Sequence, residues 1–260
     1  MKEKLYTIPL NDALQADDEC PLCYAEREIE QNILDFTLGN QSSYMERDIR
    51  AMTDEEGFCR RHFKEMFDYQ NALGNAWILS THLRRMQKEL NEVEEKHRPG
   101  TTPMFAKFRK TPAARDGADA RTDSAAAWAA QKEESCFICK QEREARARML
   151  DIFFEQWKKE PEFREKIAAG KGFCIPHFGE LCEAAETRLP DSEKQAFYDT
   201  VFELMKKNME RLIGDVDWMI EKYDYQNSDK PWKNSKDALQ RALQKLKGGY
   251  PADPAYRMKK

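Results

Sequence analysis

The chain has 260 residues, 35% of them charged and 40% hydrophobic, with a formal net charge of -4 and a mean hydropathy of -0.86. That length buries a core without disulfide staples, and an isoelectric point near 5.8 disfavours a nucleic-acid-binding protein. No apolar run approaches the ~20 residues of a membrane span, and the first ten residues lack a signal-peptide core, so a cytoplasmic, soluble, helix-rich protein is expected.

In chain order, a lead with Pro9 and Asp17-Asp18-Glu19 runs into Cys20-Pro21-Leu22-Cys23. Pro21 suits the first turn of a helix that meets no breaker before Gly39. Ser43 and Glu46 have capping-box spacing and predict a helix from Ser43 to about Met52. Gly57-Phe58-Cys59-Arg60-Arg61-His62-Phe63 opens a short helix to about Tyr69. A long helix follows, with Ala72, Ala76, Leu79, Leu83, Met86, Leu90 and Val93 at alternating spacings of four and three, a heptad seam. His82 beside the seam reads as a boundary residue, and His97 as a helix-end residue favoured by the macrodipole.

Residues 98–131 hold six basic and three acidic side chains, three prolines and no apolar period, and read as a flexible linker. Its end, Ser124 to Lys132, is a candidate short helix containing Trp128. The earlier plan then repeats. Cys136-Phe137-Ile138-Cys139 echoes the first cysteine pair, and Gly172-Phe173-Cys174-Ile175-Pro176-His177-Phe178 echoes the glycine motif. Cys139 to Glu144 also matches Cys23 to Glu28 in its Glu-Arg-Glu ending, at an offset of 116 residues. Helices are expected from Pro161 to Gly170 and from the Cys174 pair to Leu189. Another begins at Ser192, whose spacing to Gln195 again suits a capping box. Its seam is Tyr198, Phe202, Met205, Met209, Leu212, Val216, Met219 and Tyr223, read as helix packing. Residues 227–260 are a basic tail with one helix near Lys236 to Lys247 and mobile last residues.

The chain is thus expected to be all-α and duplicated. Each half is a metal-clamped set of short helices followed by one long heptad-patterned helix, over 1–97 and 132–226, joined by 98–131 and ending in the tail 227–260. Three thiols and one imidazole per half form a ligand set that tetrahedral zinc accepts. The expected sites are Cys20, Cys23, Cys59 and His62, and Cys136, Cys139, Cys174 and His177, with two Zn2+ per chain. An iron-sulphur cluster is the alternative cofactor. A thioredoxin-type dithiol is disfavoured, since no strand pattern precedes either pair. The ligand pairs are expected on amino-terminal helix turns, where the macrodipole favours thiolates. The seventh cysteine, Cys182, reads as a small core residue.

Tyr6-Thr7-Ile8-Pro9-Leu10-Asn11-Asp12-Ala13, Glu19-Cys20-Pro21-Leu22-Cys23 and the doubled Gly-Phe-Cys-x-x-His-Phe together resemble a bacterial family, a domain of unknown function. The resemblance implies a helical protein and brings no activity with it. The chain contains no Ser-His-Asp set, phosphate-binding glycine loop or HExxH motif. The expected function is a non-enzymatic, zinc-stabilised helical scaffold or interaction protein, with a protein partner or a second copy bound through the long helices. A redox or iron-sulphur protein and a nucleic-acid-binding zinc protein are the alternatives.

Overall fold

A computed structural model describes residues 8–39, 43–97 and 125–249. Among them are eleven α-helices and no strand: α1 Ile8–Gln15, α2 Pro21–Leu38, α3 Arg47–Glu56, α4 Arg60–Asp68, α5 Ala72–His97, α6 Ala125–Glu134, α7 Phe137–Lys159, α8 Pro161–Ala169, α9 Ile175–Arg188, α10 Asp191–Glu221 and α11 Ala238–Lys247. No described helix is long and apolar enough to cross a membrane.

The chain divides into two compact units that interleave the expected halves. The first takes its described residues from Met1–Glu30 and Arg143–Pro254, the second from Gln31–Glu142. A boundary between 1–97 and 132–226 therefore does not delimit them. The reason lies in α2 and α7, which have no internal breaker and each begin in one unit and end in the other. Most of the linker 98–131 lies outside the described residues, and its end is the start of α6.

In the first unit the core is aromatic. Phe153, Phe163 and Phe173 are at most 2% exposed, and Phe153 makes edge contacts to Phe154 and Phe163 at 5.2 Å and to Phe173 at 6.2 Å. Burying each such ring contributes about 2–3 kcal/mol. Since Phe173 precedes Cys174, the glycine motif is anchored in this core. Helix α8 starts at Pro161 behind Glu160 and ends at Gly170 as expected. Helix α10 has no capping box, because Pro190 occupies its N-cap and places Ser192 inside the first turn. Its buried face is Phe197, Val201, Leu204, Met205, Asn208 and Leu212. That face lies largely one residue earlier than the expected seam, a turn of about 100° around the axis, and leaves Phe202 46% and Tyr223 80% exposed.

The basic tail is also built into this unit. Helix α11 packs on α9 and α10, and Lys245 is 1% exposed with its ammonium donating to the carbonyls of Glu19 at 2.6 Å and Lys171 at 2.7 Å. Glu19, itself 2% exposed, receives Arg211 at 2.6 Å and Arg241 at 3.4 Å. Burial pushes the Lys245 ammonium below the ordinary lysine range, and the Glu19 carboxylate opposes that shift. The outward face of α11 carries Leu239, Leu243 and Leu246, between 45% and 56% exposed, so its buried side is largely the polar one. The last residues, expected to be mobile, lie outside the described ones.

The second unit packs Leu34, Leu38, Phe58, Met66, Tyr69, Ile78, Phe137 and Ile138 together. Phe58 takes the role that Phe173 has in the other unit, with its ring 5.5 Å from Phe63 and 6.3 Å from Phe137. Helix α3 starts at Arg47 with Glu46 as N-cap, and Ser43–Met45 is a separate 3-10 turn. The Ser43 box is therefore absent, because Glu46 donates its backbone N–H to the Ser43 carbonyl instead. Gly57 has φ +63°, and a Cβ there would stand 2.8 Å from Cε1 of His82, whose Nδ1 meets the Asp54 carbonyl at 3.0 Å. His82 is thus a packing residue at the α3–α5 contact. Helix α5 buries Gly74 and Ile78 but leaves its seam residues Leu83 63% and Leu90 52% exposed.

Helix α6, rich in alanine and with no buried residue, is held to α5 mainly through polar contacts. Glu89 receives Arg85 at 2.9 Å, Lys132 at 2.7 Å and the Trp128 indole N–H at 3.1 Å. Burial pushes the Glu89 carboxyl up, and the three donors overcome it and bring it down to about 2.

Candidate metal centres

The local reason for the ligand spacing is a helix start used four times. Cys59 and Cys174 are the N-caps of α4 and α9, in extended conformation. Cys20 and Cys136 directly precede α2 and α7. Cys23, His62, Cys139 and His177 are each the third residue of their helices. An N-cap and an N3 side chain converge over the first turn, so C-x2-C and C-x2-H present two donor atoms toward one point. The Cys174 sulfur even accepts the N–H of His177 at 3.5 Å, as a capping oxygen would.

The pairs combine differently from the sequence expectation. Cys20 and Cys23 meet Cys174 and His177 in the first unit, and Cys59 and His62 meet Cys136 and Cys139 in the second. The expected groupings Cys20/Cys23/Cys59/His62 and Cys136/Cys139/Cys174/His177 are therefore corrected. All eight residues still fall into two clusters of three sulfurs and one imidazole, whose donor atoms lie within 4.8 Å of one another.

In the first cluster Nδ1 of His177 is 3.4 Å from Cys20 Sγ, 3.4 Å from Cys23 Sγ and 3.1 Å from Cys174 Sγ, and Cys23 and Cys174 are 3.6 Å apart. In the second, Nδ1 of His62 is 3.3 Å from Cys59, 3.1 Å from Cys136 and 3.3 Å from Cys139, and Cys59 and Cys139 are 3.9 Å apart. Both arrays can hold a metal ion. Burial tends to push the His177 imidazole down, yet the sulfurs of Cys174, Cys20 and Cys23 and the Glu26 carboxylate move it up, so the centre of this cluster favours positive charge. In the second cluster burial opposes ionisation of Cys136, while His62 and two backbone N–H groups bring it down to about 6. Cys139 is pushed up to about 11 by burial and by the Cys136 thiolate beside it. A divalent cation relieves that like-charge conflict.

Sequence reasoning missed the carboxylates behind the imidazoles. Nε2 of His177 faces Glu26 at 3.0 Å and Glu180 at 4.0 Å, and Arg146 ties the two together at 2.9 and 2.7 Å. Nε2 of His62 faces Glu65 at 3.6 Å and Glu142 at 3.8 Å, with Arg61 2.8 Å from the ring nitrogen and 3.4 and 3.3 Å from the two carboxylates. The signal was present: each ligand pair is followed by glutamate three residues on, at positions 26, 65, 142 and 180. One helical turn places it over the ligand.

The clusters differ in cover. Cys20, Cys23, Cys174 and His177 are all buried, whereas Cys59 and Cys139 are half-buried around a buried Cys136 and His62. Gly248, just after α11, closes over the first cluster. A Cβ at that position would lie 3.5 Å from Cys174 Sγ and 3.7 Å from Cys23 Sγ. Cys182 is half-buried on α9 outside both clusters, and burial and Glu186 push its thiol up.

A family model described as "Family of unknown function (DUF6062)" matches residues 1–253. No curated protein and no solved structure matches the chain. With nearly the whole sequence matched, both cysteine pairs and both glycine motifs included, the chain belongs to this family of unknown function.

Proposed function

We propose that the protein is a zinc-stabilised helical scaffold of the cytoplasm, with two Zn2+ per chain and no turnover at either. The observation that carries the reading is the closure of each cluster: four protein donors surround one point. Tetrahedral zinc with bonds near 2.3 Å to sulfur and 2.0 Å to nitrogen has S···S edges of about 3.8 Å and S···N edges of about 3.5 Å. One S···S distance in each cluster, 3.6 and 3.9 Å, and the S···N distances of 3.1 to 3.4 Å lie within a few tenths of an ångström of that tetrahedron, and all donor atoms of a cluster are within 4.8 Å of one another. Four protein ligands leave no position for water or substrate. An iron-sulphur cluster distributes its ligands over several irons, which suits a single compact donor sphere poorly. Six thiolate ligands also suit a reducing compartment.

The scaffold reading includes a protein partner or a second copy, on the support of the α5 seam, where Leu83 and Leu90 are more than half exposed. Nucleic acid is disfavoured, since Arg241 and Lys245 of the basic tail are engaged by Glu19, Asp215 and Asp237. Elemental analysis with X-ray absorption on the purified chain tests the zinc reading. Two zinc equivalents, each in a shell of three sulfurs and one nitrogen, are expected, and a water-ligated ion or a folded metal-free chain refutes it. For the partner, Leu83→Asp is expected to abolish association, and unchanged association refutes the seam.

A further inference from the structure

The two clusters share a donor set and differ in what reaches it. In the first unit every donor residue is at most 4% exposed, Gly248 lies over the Cys23 and Cys174 sulfurs, and Lys245 fastens the helix that carries this cover. In the second unit Cys59 and Cys139 are half-buried, come from different helices, α4 and α7, and hold their sulfurs 3.9 Å apart. The two half-buried cysteines thus hold neighbouring sulfurs, while Cys136 and His62 are buried.

We propose that the second-unit cluster is a hydroperoxide-responsive release site, in which Cys59 and Cys139 form a disulfide and the ion leaves, while the first-unit cluster keeps its ion. The proposal rests on the zinc reading above. One thiolate of the pair attacks a peroxide oxygen, the O–O bond breaks, and a sulfenic acid and hydroxide form. The second thiolate attacks the sulfenic sulfur, the S–O bond breaks, and a second hydroxide leaves with formation of the S–S bond. For hydrogen peroxide the two hydroxides take up two protons, giving two waters. Two thiolates are oxidised by two electrons and the peroxide is reduced by two. The ion loses two of its four ligands and is left on Cys136 and His62, too few to retain it against a chelator. The three sulfurs of the first cluster contain the same chemistry but lie under α11 and its terminal glycine, where peroxide must first wait for local opening.

The test uses the full chain carrying Cys182→Ser, so that the half-buried seventh thiol does not consume oxidant. Its zinc content is measured before any treatment. Hydrogen peroxide is then added stepwise with a chromophoric zinc chelator present, and the peptides are mapped by mass spectrometry. The expected result is loss of one of two equivalents together with a Cys59–Cys139 disulfide, restored by dithiothreitol and zinc. Release of both equivalents in step, first oxidation at Cys20, Cys23 or Cys174, or retention of both ions under excess peroxide overturns the proposal and leaves the zinc reading standing. A chain that carries no zinc at the outset refutes the zinc reading itself. N-ethylmaleimide on the zinc-loaded chain gives a second readout: Cys59 and Cys139 are expected to be alkylated first, and alkylation of the first-unit cysteines ahead of them overturns the proposal.

Discussion

Oε1 of Glu26 stands 3.0 Å from Nε2 of His177, one helical turn beyond Cys23 on α2. This contact orients the ring: with Nε2–H donated to the carboxylate, Nδ1 faces the point between the three sulfurs, where a bound ion would take its lone pair. Arg146 holds the carboxylate in place by bridging it to Glu180. Glu26→Ala is expected to weaken zinc binding at the first cluster by about 10–100-fold, with Glu26→Gln, which still accepts the N–H, falling between. Competition with a chelator of known affinity measures both. Equal affinity in all three proteins rejects the orienting role.

The cross-pairing is tested by additivity. Cys20→Ser and Cys174→Ser act on one cluster, so the double variant is expected to lose the same single zinc equivalent as either alone. Cys20→Ser combined with Cys59→Ser acts on both clusters and is expected to lose two. If Cys20 and Cys59 instead share one equivalent, the grouping seen here is wrong.

Lys245 and Glu19 form a buried ion pair beside the first cluster, at 1% and 2% exposure. Lys245→Met leaves Glu19 with fewer cations in a dry environment. Removing one partner of a buried pair costs about 3–5 kcal/mol, and because Arg211 and Arg241 still face Glu19 the lower end is expected. Denaturant unfolding measures that loss. Zinc should also leave the first cluster faster, since the helix that carries Gly248 is loosened; unchanged chelation kinetics count against the cover.

Glu89 sets an acid dependence for the docking of α6. Its carboxyl is held at about 2, against an ordinary value of 4.5, with burial opposed by Lys132, Arg85 and Trp128. A depressed folded-state pKa contributes stability that is present above the unfolded value and is lost as pH falls through the folded value. The advantage of the wild type over Glu89→Gln is therefore expected to be about 1 kcal/mol at neutral pH, because the site is partly solvated. It should shrink between pH 4.5 and about 2. Metal loss in acid is common to both proteins and cancels in the difference. A difference independent of pH rejects the ionic account.

Much of the helix inventory was legible because its signals are local. Pro21 and Gly39 bound α2, Pro161 and Gly170 bound α8, and Gly248 ends α11. Where two local signals competed, reading failed: Ser43 and Ser192 both have capping spacing, but a backbone bond to the Ser43 carbonyl and Pro190 at the N-cap displaced them. The basic composition marked residues 227–260 as a tail, while its Arg241 and Lys245 in fact find buried partners many residues away in sequence.

By itself the sequence determined the all-helical class and singled out the eight cysteines and histidines that the structure gathers, and it placed each pair on a helix start, because a three-residue spacing at an N-terminus brings two side chains over the same turn whatever the rest of the chain does. Only the tertiary structure decided which pair meets which. The four half-sites have almost the same chemistry, so neither spacing nor charge distinguishes Cys20 and Cys23 with Cys59 and His62 from Cys20 and Cys23 with Cys174 and His177. The choice is made by the two compact units, one joining Met1–Glu30 to Arg143–Pro254, and by the cores in which Phe58 and Phe173 are buried. The same packing decided that Gly248 covers one cluster and that Cys59 and Cys139 stay within reach of solvent in the other.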